Sequence, residues 1–153
     1  MKVCIGGTFN KLHKGHEQLI DKAIKTAGKN GYLFIGVTKG EINAKKNNVK
    51  SYVERKKAIK RYIQKKKVIP EIKIKPIEDK FGPSIDEDFN TIVVSPETKI
   101  TAEEINIKRK KIGKKPLDII QIPFVFADNG KPISSSRINE KKINKNGKIL
   151  KID

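Results

Sequence analysis

The sequence of 153 residues has one cysteine, no tryptophan and only half as many acidic as basic residues. The lone cysteine, Cys4, excludes an intramolecular disulfide framework and a multi-cysteine zinc site. No apolar run approaches the roughly 20 residues needed to cross a bilayer. The chain also starts in a strand-like segment, which leaves no room for a signal peptide. We therefore expect a cytoplasmic protein without a membrane partner, folded as a single domain over residues 1–153.

Basic side chains dominate the charge: 35 Lys and Arg stand against 17 Asp and Glu, for a formal net charge of +18. Such a charge attracts polyanions, among them nucleic acids, nucleotides and phosphorylated metabolites. The lysines are spread over several helix-like segments rather than gathered in one tail, which favours a solvated surface over a dedicated nucleic-acid face. A basic nucleic-acid-binding module stays open as an alternative. Repulsion between copies of so basic a chain mildly favours a monomer.

Strand and helix patterns alternate along the chain, which predicts an α/β domain with a mainly parallel sheet flanked by helices. Apolar runs predict strands at residues 2–5, 32–37, 91–94 and 117–122, the last continued at 124–126. Ile72 and Ile74 alternate with charged residues, which predicts a half-exposed strand near a sheet edge. Helical spacing of apolar residues predicts helices that begin near His16, at Ser51 and near Ala102.

A glycine-rich loop, residues 6–16, separates the first predicted strand from the first predicted helix. Ligands of open α/β sheets bind at the carboxyl ends of the strands, where glycines and a helix N-terminus offer N–H donors to a phosphate. The two histidines of the chain, His13 and His16, both fall in this loop and can face one anion. The spacings of a dinucleotide fingerprint and of a P-loop are absent. Zinc binding by both histidines and Cys4 is a weaker alternative, because no fourth strong ligand is near.

Five segments of the chain carry a family resemblance. Gly-Thr-Phe-Asn at residues 7–10, followed by His-Lys-Gly-His at 13–16, resembles the GTFD and HxGH signatures of the nucleotidyltransferase superfamily. Ile-Ser-Ser-Ser-Arg at residues 133–137 looks like its second signature. With Ser-Pro-Glu-Thr at 95–98 and Phe-Gly-Pro at 81–83, the chain resembles the archaeal/eukaryotic-type phosphopantetheine adenylyltransferase family. Asn10 stands where that family usually has Asp, a position that we expect to shape the turn.

The resemblance implies a Rossmann-like domain in which the phosphate of 4′-phosphopantetheine attacks the α-phosphorus of ATP. Pyrophosphate leaves and dephospho-coenzyme A forms. Mg²⁺ is expected to travel with ATP, held by phosphate oxygens and water, so no protein ligand is assigned to it. FMN adenylyltransferases, cytidylyltransferases and nicotinamide-mononucleotide adenylyltransferases share the HxGH loop and stay open, as does a nucleotide sensor without turnover.

The same resemblance assigns roles to individual residues. We expect His16 to contact the α-phosphate, His13 to hold the triphosphate, and Thr8 to lie between the phosphates of the two substrates. Of the neighbouring Lys45 and Lys46, the count back from the helix favours Lys46 as the phosphate ligand and fourth catalytic residue, with Lys45 left open, and Asp79 is expected to contact the pantetheine arm. The predicted ATP-binding set is Gly6, Gly7, Thr8, Phe9, His13, Gly15, His16, Arg109, Ser134, Ser135, Ser136 and Arg137. Substrate contacts are predicted for Thr8, Lys46 and Asp79.

Overall fold

The computed structural model describes residues 1–44, 48–67 and 69–123. Its strands are β1 (Lys2–Gly7), β2 (Tyr32–Thr38), β3 (Glu71–Ile77), β4 (Thr91–Val94) and β5 (Asp118–Gln121). Its α-helices are α1 (Lys14–Ala27), α2 (Tyr52–Gln64) and α3 (Lys99–Lys111), and two short 3-10 helices span Gly40–Asn43 and Gly82–Ser84. The alternation of strands and helices confirms the predicted α/β class.

The strands form one parallel sheet in the order β3-β2-β1-β4-β5. From β1 the chain moves outward through β2 to β3, then returns across β1 to form β4 and β5. The strand order thus reverses between β1 and β4. In open α/β sheets the crevice at the carboxyl ends beside such a reversal is where ligands bind. The loop that follows β1 lies at this point, which is the position predicted for the glycine-rich segment.

Each face of the sheet packs against helices and has its own apolar core. Alternate residues of a strand point to opposite faces, so Val3 and Ile5 of β1 join one core while Cys4 joins the other. The first core also contains Ile20 of α1 and Ile59 of α2. The second core contains Ala102 and Ile105 of α3 together with Phe34, Ile77, Phe89 and Leu117. Because both faces of the sheet are covered in this way, the loops that follow the strands lie at the carboxyl edge of the sheet.

The predicted element boundaries hold to within a few residues. Helix α1 begins at Lys14 rather than near His16, because His13 already caps it. Ser51 caps α2 as predicted, its Oγ accepting from the Glu54 N–H at 3.2 Å. Strand β3, which contains Ile72 and Ile74, lies at an edge of the sheet, as its alternating pattern indicated. In the part of the chain that the structure describes, no helix is both long and apolar enough to span a membrane. The strand predicted at 124–126 lies outside the described residues.

Candidate active site

The two histidines cap helix α1 in a reciprocal arrangement. His13 Nδ1 accepts from the N–H of Gly15 at 3.0 Å and from that of His16 at 3.4 Å. His16 Nδ1 accepts in turn from the His13 N–H at 3.4 Å, and the two rings stack with their centroids 3.8 Å apart. Since Nδ1 is the acceptor in both neutral rings, the proton of each ring is on Nε2. The cap therefore fixes the tautomer and leaves Nε2–H as the donor that can meet an anion.

Both histidines are neutral at physiological pH. Burial lowers the pKa of His13 from 6.5 to about 4. Burial also lowers the pKa of His16 to about 3, with a further decrease from the neighbouring His13 and an opposing contribution from a hydrogen bond to the Lys11 backbone. In the protein without ligand, both rings are thus neutral and present N–H donors rather than positive charges to an incoming anion.

Phe9 packs against the His16 ring. Its ring is buried and lies 5.1 Å from the His16 ring, centroid to centroid. Its backbone has a φ of 49°, in the left-handed region that residues other than glycine seldom adopt. The backbone of Gly7 lies close to the Phe9 ring, since a Cβ at position 7 would come within 3.1 Å of that ring. The loop thus holds an uncommon backbone conformation, of the kind that clusters at functional sites.

Thr8 is held by two residues that lie far away in the sequence. Thr38, the last residue of β2, donates its hydroxyl hydrogen to Asn43 Oδ1 at 2.9 Å, and its Oγ1 lies within hydrogen-bond distance of Thr8 Oγ1 at 3.2 Å. Arg55, in the first turn of α2, donates from Nη1 to the Thr8 carbonyl at 2.9 Å. Sequence reasoning missed both residues. A threonine that ends a strand and an arginine in a lysine-rich helix give no local signal that they meet the glycine-rich loop.

Asn10 joins the glycine-rich loop to the segment that leads into α2. Its Nδ2 donates to the Asn48 carbonyl at 3.1 Å, and its Oδ1 accepts from the Lys50 N–H at 2.7 Å. The expectation that this residue shapes a turn understates its role, because both contacts cross to a second loop. Asn48 itself has a φ of 56°, so the contact fixes a backbone that is hard to form. A carboxylate at position 10 could accept from Lys50 but could not donate to Asn48.

The structure brings most of the predicted ATP-binding set into one loop. Gly6 and Gly7 end β1, and the remaining members close the turn into α1. The residues in this loop are Gly6, Gly7, Thr8, Phe9, His13, Gly15 and His16. The predicted phosphate ligands Lys46, Ser134, Ser135, Ser136 and Arg137 lie outside the described residues.

Arg109 is a correction to the prediction. Its guanidinium is buried and donates to the carbonyls of Lys115, Ser84, Ile85 and Glu87 at 2.7 to 3.2 Å. Glu87 precedes β4 and Lys115 precedes β5, so these partners lie toward the amino ends of the strands. The loop with the histidines is at the carboxyl ends. Arg109 therefore ties backbone segments together at the opposite edge of the sheet and is not placed to bind the triphosphate.

Asp79 follows β3 at the predicted edge, but its carboxylate serves a turn. Its Oδ1 accepts from the N–H groups of Phe81 and Gly82 at 2.8 and 2.7 Å. A contact between Asp79 and the pantetheine arm stays a prediction. The zinc alternative finds no support in residues 1–44, 48–67 and 69–123, where no group of three or more His, Cys, Asp or Glu could hold a metal. Burial raises the pKa of Cys4 to about 12, which disfavours the thiolate that zinc needs.

Comparison with known proteins decides the family. A family model described as cytidylyltransferase-like matches residues 4–141. A phosphopantetheine adenylyltransferase of Methanosarcina mazei is 45% identical over 152 residues, covering 98% of this chain and 97% of that protein. This chain belongs to the phosphopantetheine adenylyltransferase family. Another member of the family, from Archaeoglobus fulgidus, is 41% identical and covers 98% of this chain and all of its own length.

A solved structure agrees with this membership. A crystal structure of an Archaeoglobus fulgidus protein described as of unknown function superposes with a TM-score of 0.71 at 41% sequence identity. It covers 80% of this chain and 89% of its own. A bifunctional family member from Thermoplasma volcanium, a phosphopantetheine adenylyltransferase joined to an NTP phosphatase, is 41% identical, and this chain covers 45% of its length. The match corresponds to less than half of that larger protein.

Proposed function

We propose that this protein transfers the adenylyl group of ATP to 4′-phosphopantetheine and forms dephospho-coenzyme A and pyrophosphate. The single observation that carries the proposal is the reciprocal His13–His16 cap at the carboxyl end of β1, in a chain that belongs to the phosphopantetheine adenylyltransferase family. Both substrates are small soluble phosphates, and we expect the enzyme to act on them in the cytoplasm as a monomer.

The histidine cap extends the reach of the helix N-terminus. The first-turn amides of Gly15 and His16 do not point at a ligand, because both donate to His13 Nδ1. Each imidazole therefore receives a backbone hydrogen bond on one nitrogen and offers the hydrogen of its other nitrogen to a phosphate. Hydrogen bonds in such a chain polarise and strengthen one another. The partial positive charge of the α1 N-terminus is passed through the rings to the anion.

The reaction needs positioning and charge stabilisation rather than a protein nucleophile. A phosphate oxygen of 4′-phosphopantetheine attacks the α-phosphorus of ATP, and the bond from that phosphorus to the oxygen bridging to the β-phosphorus breaks. Negative charge grows on the non-bridging and leaving oxygens during this step. We assign His16 to the α-phosphate, His13 to the triphosphate chain and Thr8 to the space between the two substrates.

The donor set suits phosphate oxygens better than a metal ion. The described residues of the loop offer imidazole N–H, hydroxyl and backbone N–H groups, and none of residues 6–16 carries a carboxylate. We propose that Mg²⁺ enters with ATP, held by phosphate oxygens and water, in keeping with its preference for such ligands. Its contribution is to neutralise charge on the triphosphate. Binding and orientation fall to the loop, and we propose the same role for Lys46, Ser134, Ser135, Ser136 and Arg137.

A panel assay tests the acceptor. The purified full chain is given Mg-ATP with 4′-phosphopantetheine, FMN or nicotinamide mononucleotide, and separately Mg-CTP with glycerol 3-phosphate. Pyrophosphate release is measured for each pair. We expect turnover with 4′-phosphopantetheine at least 100-fold above the others. Turnover with FMN and none with 4′-phosphopantetheine would reverse the acceptor assignment.

A histidine variant tests the site itself. His16→Asn keeps an oxygen that can accept from the His13 N–H, so α1 stays capped, but it lacks an Nε2–H that reaches the phosphate. Loss of one preorganised donor lowers kcat by about 100- to 1000-fold in comparable sites. The circular dichroism spectrum and Tm should change little. Full turnover in this variant would show that the imidazole does not stabilise the transition state. For the unsubstituted protein, salt-sensitive binding to RNA without any pyrophosphate release would favour the nucleic-acid alternative.

A further inference from the structure

Arg55 is a buried charge in the first turn of α2. The residue is 3% exposed, and in residues 1–44, 48–67 and 69–123 no ion pair includes it. Three of its five N–H groups donate to backbone carbonyls: Nε donates to Lys50 at 2.8 Å, and Nη1 donates to Thr8 at 2.9 Å and to Thr38 at 2.6 Å. Burial of a charge is costly, and hydrogen bonds of this kind offset the cost. The guanidinium therefore needs the carbonyls of these loops as hydrogen-bond acceptors, and the same hydrogen bonds hold the loops in place.

The three carbonyls belong to three separate segments of the site. Thr8 lies directly after β1, Thr38 ends β2, and Lys50 precedes α2. One nitrogen, Nη1, bridges the first two, so the carboxyl ends of two neighbouring strands are fixed through a single atom. Asn10 binds the N–H of the same Lys50 whose carbonyl Arg55 binds, so both sides of that peptide segment are held.

Thr8 is thereby fixed through both its backbone and its side chain. Arg55 holds the carbonyl, and the Thr38 hydroxyl contacts Thr8 Oγ1 at 3.2 Å. Thr38 is itself held, because Asn43 Nδ2 donates to its carbonyl at 3.1 Å. A residue that is to lie between two reacting phosphates must keep its position to within a fraction of an ångström, and a displacement of about 1 Å lowers turnover by about 100-fold.

We propose that Arg55 is a positioning residue for adenylyl transfer: its guanidinium holds Thr8, and through it the glycine-rich loop, at the distance from β2 that the two phosphates require. The inference rests on the proposed function, and it adds a residue that contacts neither substrate. Its charge, which no described carboxylate neutralises, also lies against the Thr8 carbonyl, in the loop that we propose to receive the triphosphate.

Arg109 provides a matched control for a purely structural role. It is also 3% exposed and also donates to backbone carbonyls, but at the opposite edge of the sheet. Arg55→Lys and Arg109→Lys both keep the charge and lose the planar fork that reaches several carbonyls at once. Both variants should lower Tm. Only Arg55→Lys should lower kcat, by about 10- to 100-fold, measured at a temperature at which both are folded.

The expected pattern separates position from stability. For Arg55→Lys we expect a loss in kcat greater than the change in KM for either substrate, while Arg109→Lys stays within about twofold of the unsubstituted enzyme. Equal kcat values in the two lysine variants would overturn the proposal, because they would leave Arg55 with only the structural role that Arg109 has.

A second pair of variants keeps the inference testable if Arg55→Lys does not fold. Thr38→Val removes the hydroxyl that contacts Thr8 and preserves the shape of the strand end, whereas Thr38→Ser keeps the hydroxyl. We expect kcat to fall about 10-fold in the valine variant and to recover in the serine variant. Unchanged turnover in Thr38→Val would contradict the view that Thr8 must be held from β2.

Binding of ATP distinguishes failure of this inference from failure of the proposed function. If the unsubstituted protein releases no pyrophosphate with any acceptor, the proposed function is wrong. The dissociation constant for Mg-ATP, measured by calorimetry on the same variants, still tests the positioning role. A weakening of about 10-fold in Arg55→Lys but not in Arg109→Lys supports it, and equal affinities in the two variants reject it.

Discussion

Acidification should destabilise this fold through the histidine cap. Burial holds the pKa of His13 at about 4, whereas an unfolded histidine has a pKa near 6.5. Between these two values the unfolded chain binds a proton that the folded chain does not. The free energy of unfolding therefore decreases as the pH falls from 6.5 toward 4, by up to about 1.4 kcal/mol per pH unit for this one proton. Over the whole window the loss is about 3 kcal/mol.

His13→Asn isolates this contribution. Asparagine is a favoured N-cap residue, so its side-chain oxygen can still accept from the first turn of α1, but it does not titrate. The carboxylates are common to both proteins, so their protonation largely cancels in the comparison, whereas the pKa of His16 rises once His13 no longer lowers it. The stability of the variant relative to the unsubstituted protein should thus improve by about 3 kcal/mol between pH 7 and pH 4.

Urea unfolding followed by far-ultraviolet circular dichroism measures this difference, since the chain has no tryptophan to serve as a fluorescent probe. Free energies of unfolding for the two proteins would be compared at several pH values from 7 to 4. Parallel curves would refute the reasoning, because they would mean that His13 titrates alike in the folded and unfolded states. A nitrogen-15 NMR spectrum should in addition show Nδ1 unprotonated and Nε2 protonated in both rings.

Two other perturbations follow from the same structure. Asn10→Asp should lower the free energy of unfolding at pH 7 by about 1 kcal/mol, because the carboxylate cannot donate to the Asn48 carbonyl. Asn10→Gln tests whether an amide alone is sufficient. An Asp variant that is as stable in urea as the unsubstituted protein would contradict the view that the hydrogen bond to Asn48 stabilises the fold. Cys4 should resist a thiol reagent such as dithionitrobenzoate in the folded state and react on unfolding in urea, because it is buried with its pKa raised to about 12. Stoichiometric labelling of the folded chain would contradict this expectation and show that β1 opens readily.

Local pattern was enough to predict most of the fold. Strands β1, β2 and β4 are short apolar runs, and burial of both faces of a parallel sheet is what such runs indicate. Residue Ser51 was recognised from its spacing to Glu54, since a helix cap depends on neighbours in the sequence. The glycine-rich loop is local in the same sense, since His13 and His16 are bound to each other across three residues.

The error at Arg109 shows where local pattern stops. Four consecutive basic residues, 108–111, end α3, and the sequence offers no reason to separate one from the others. The structure separates them by burial: the helix turns Arg109 toward the segments before β4 and β5, where its guanidinium donates to backbone carbonyls. Its guanidinium is thus occupied at the amino ends of the strands, away from the histidines at the carboxyl ends.

The sequence by itself determined the class of the domain, the glycine-rich loop after β1 and the pairing of the two histidines at the start of α1, because all three depend on residues that are close in the chain. Tertiary structure alone decided that Arg55, 47 residues from Thr8, holds that threonine in place, and that Asn10 reaches 40 residues ahead to Lys50. Contacts of this kind leave no periodicity or spacing, since they form only when separate strand ends meet at one edge of the sheet.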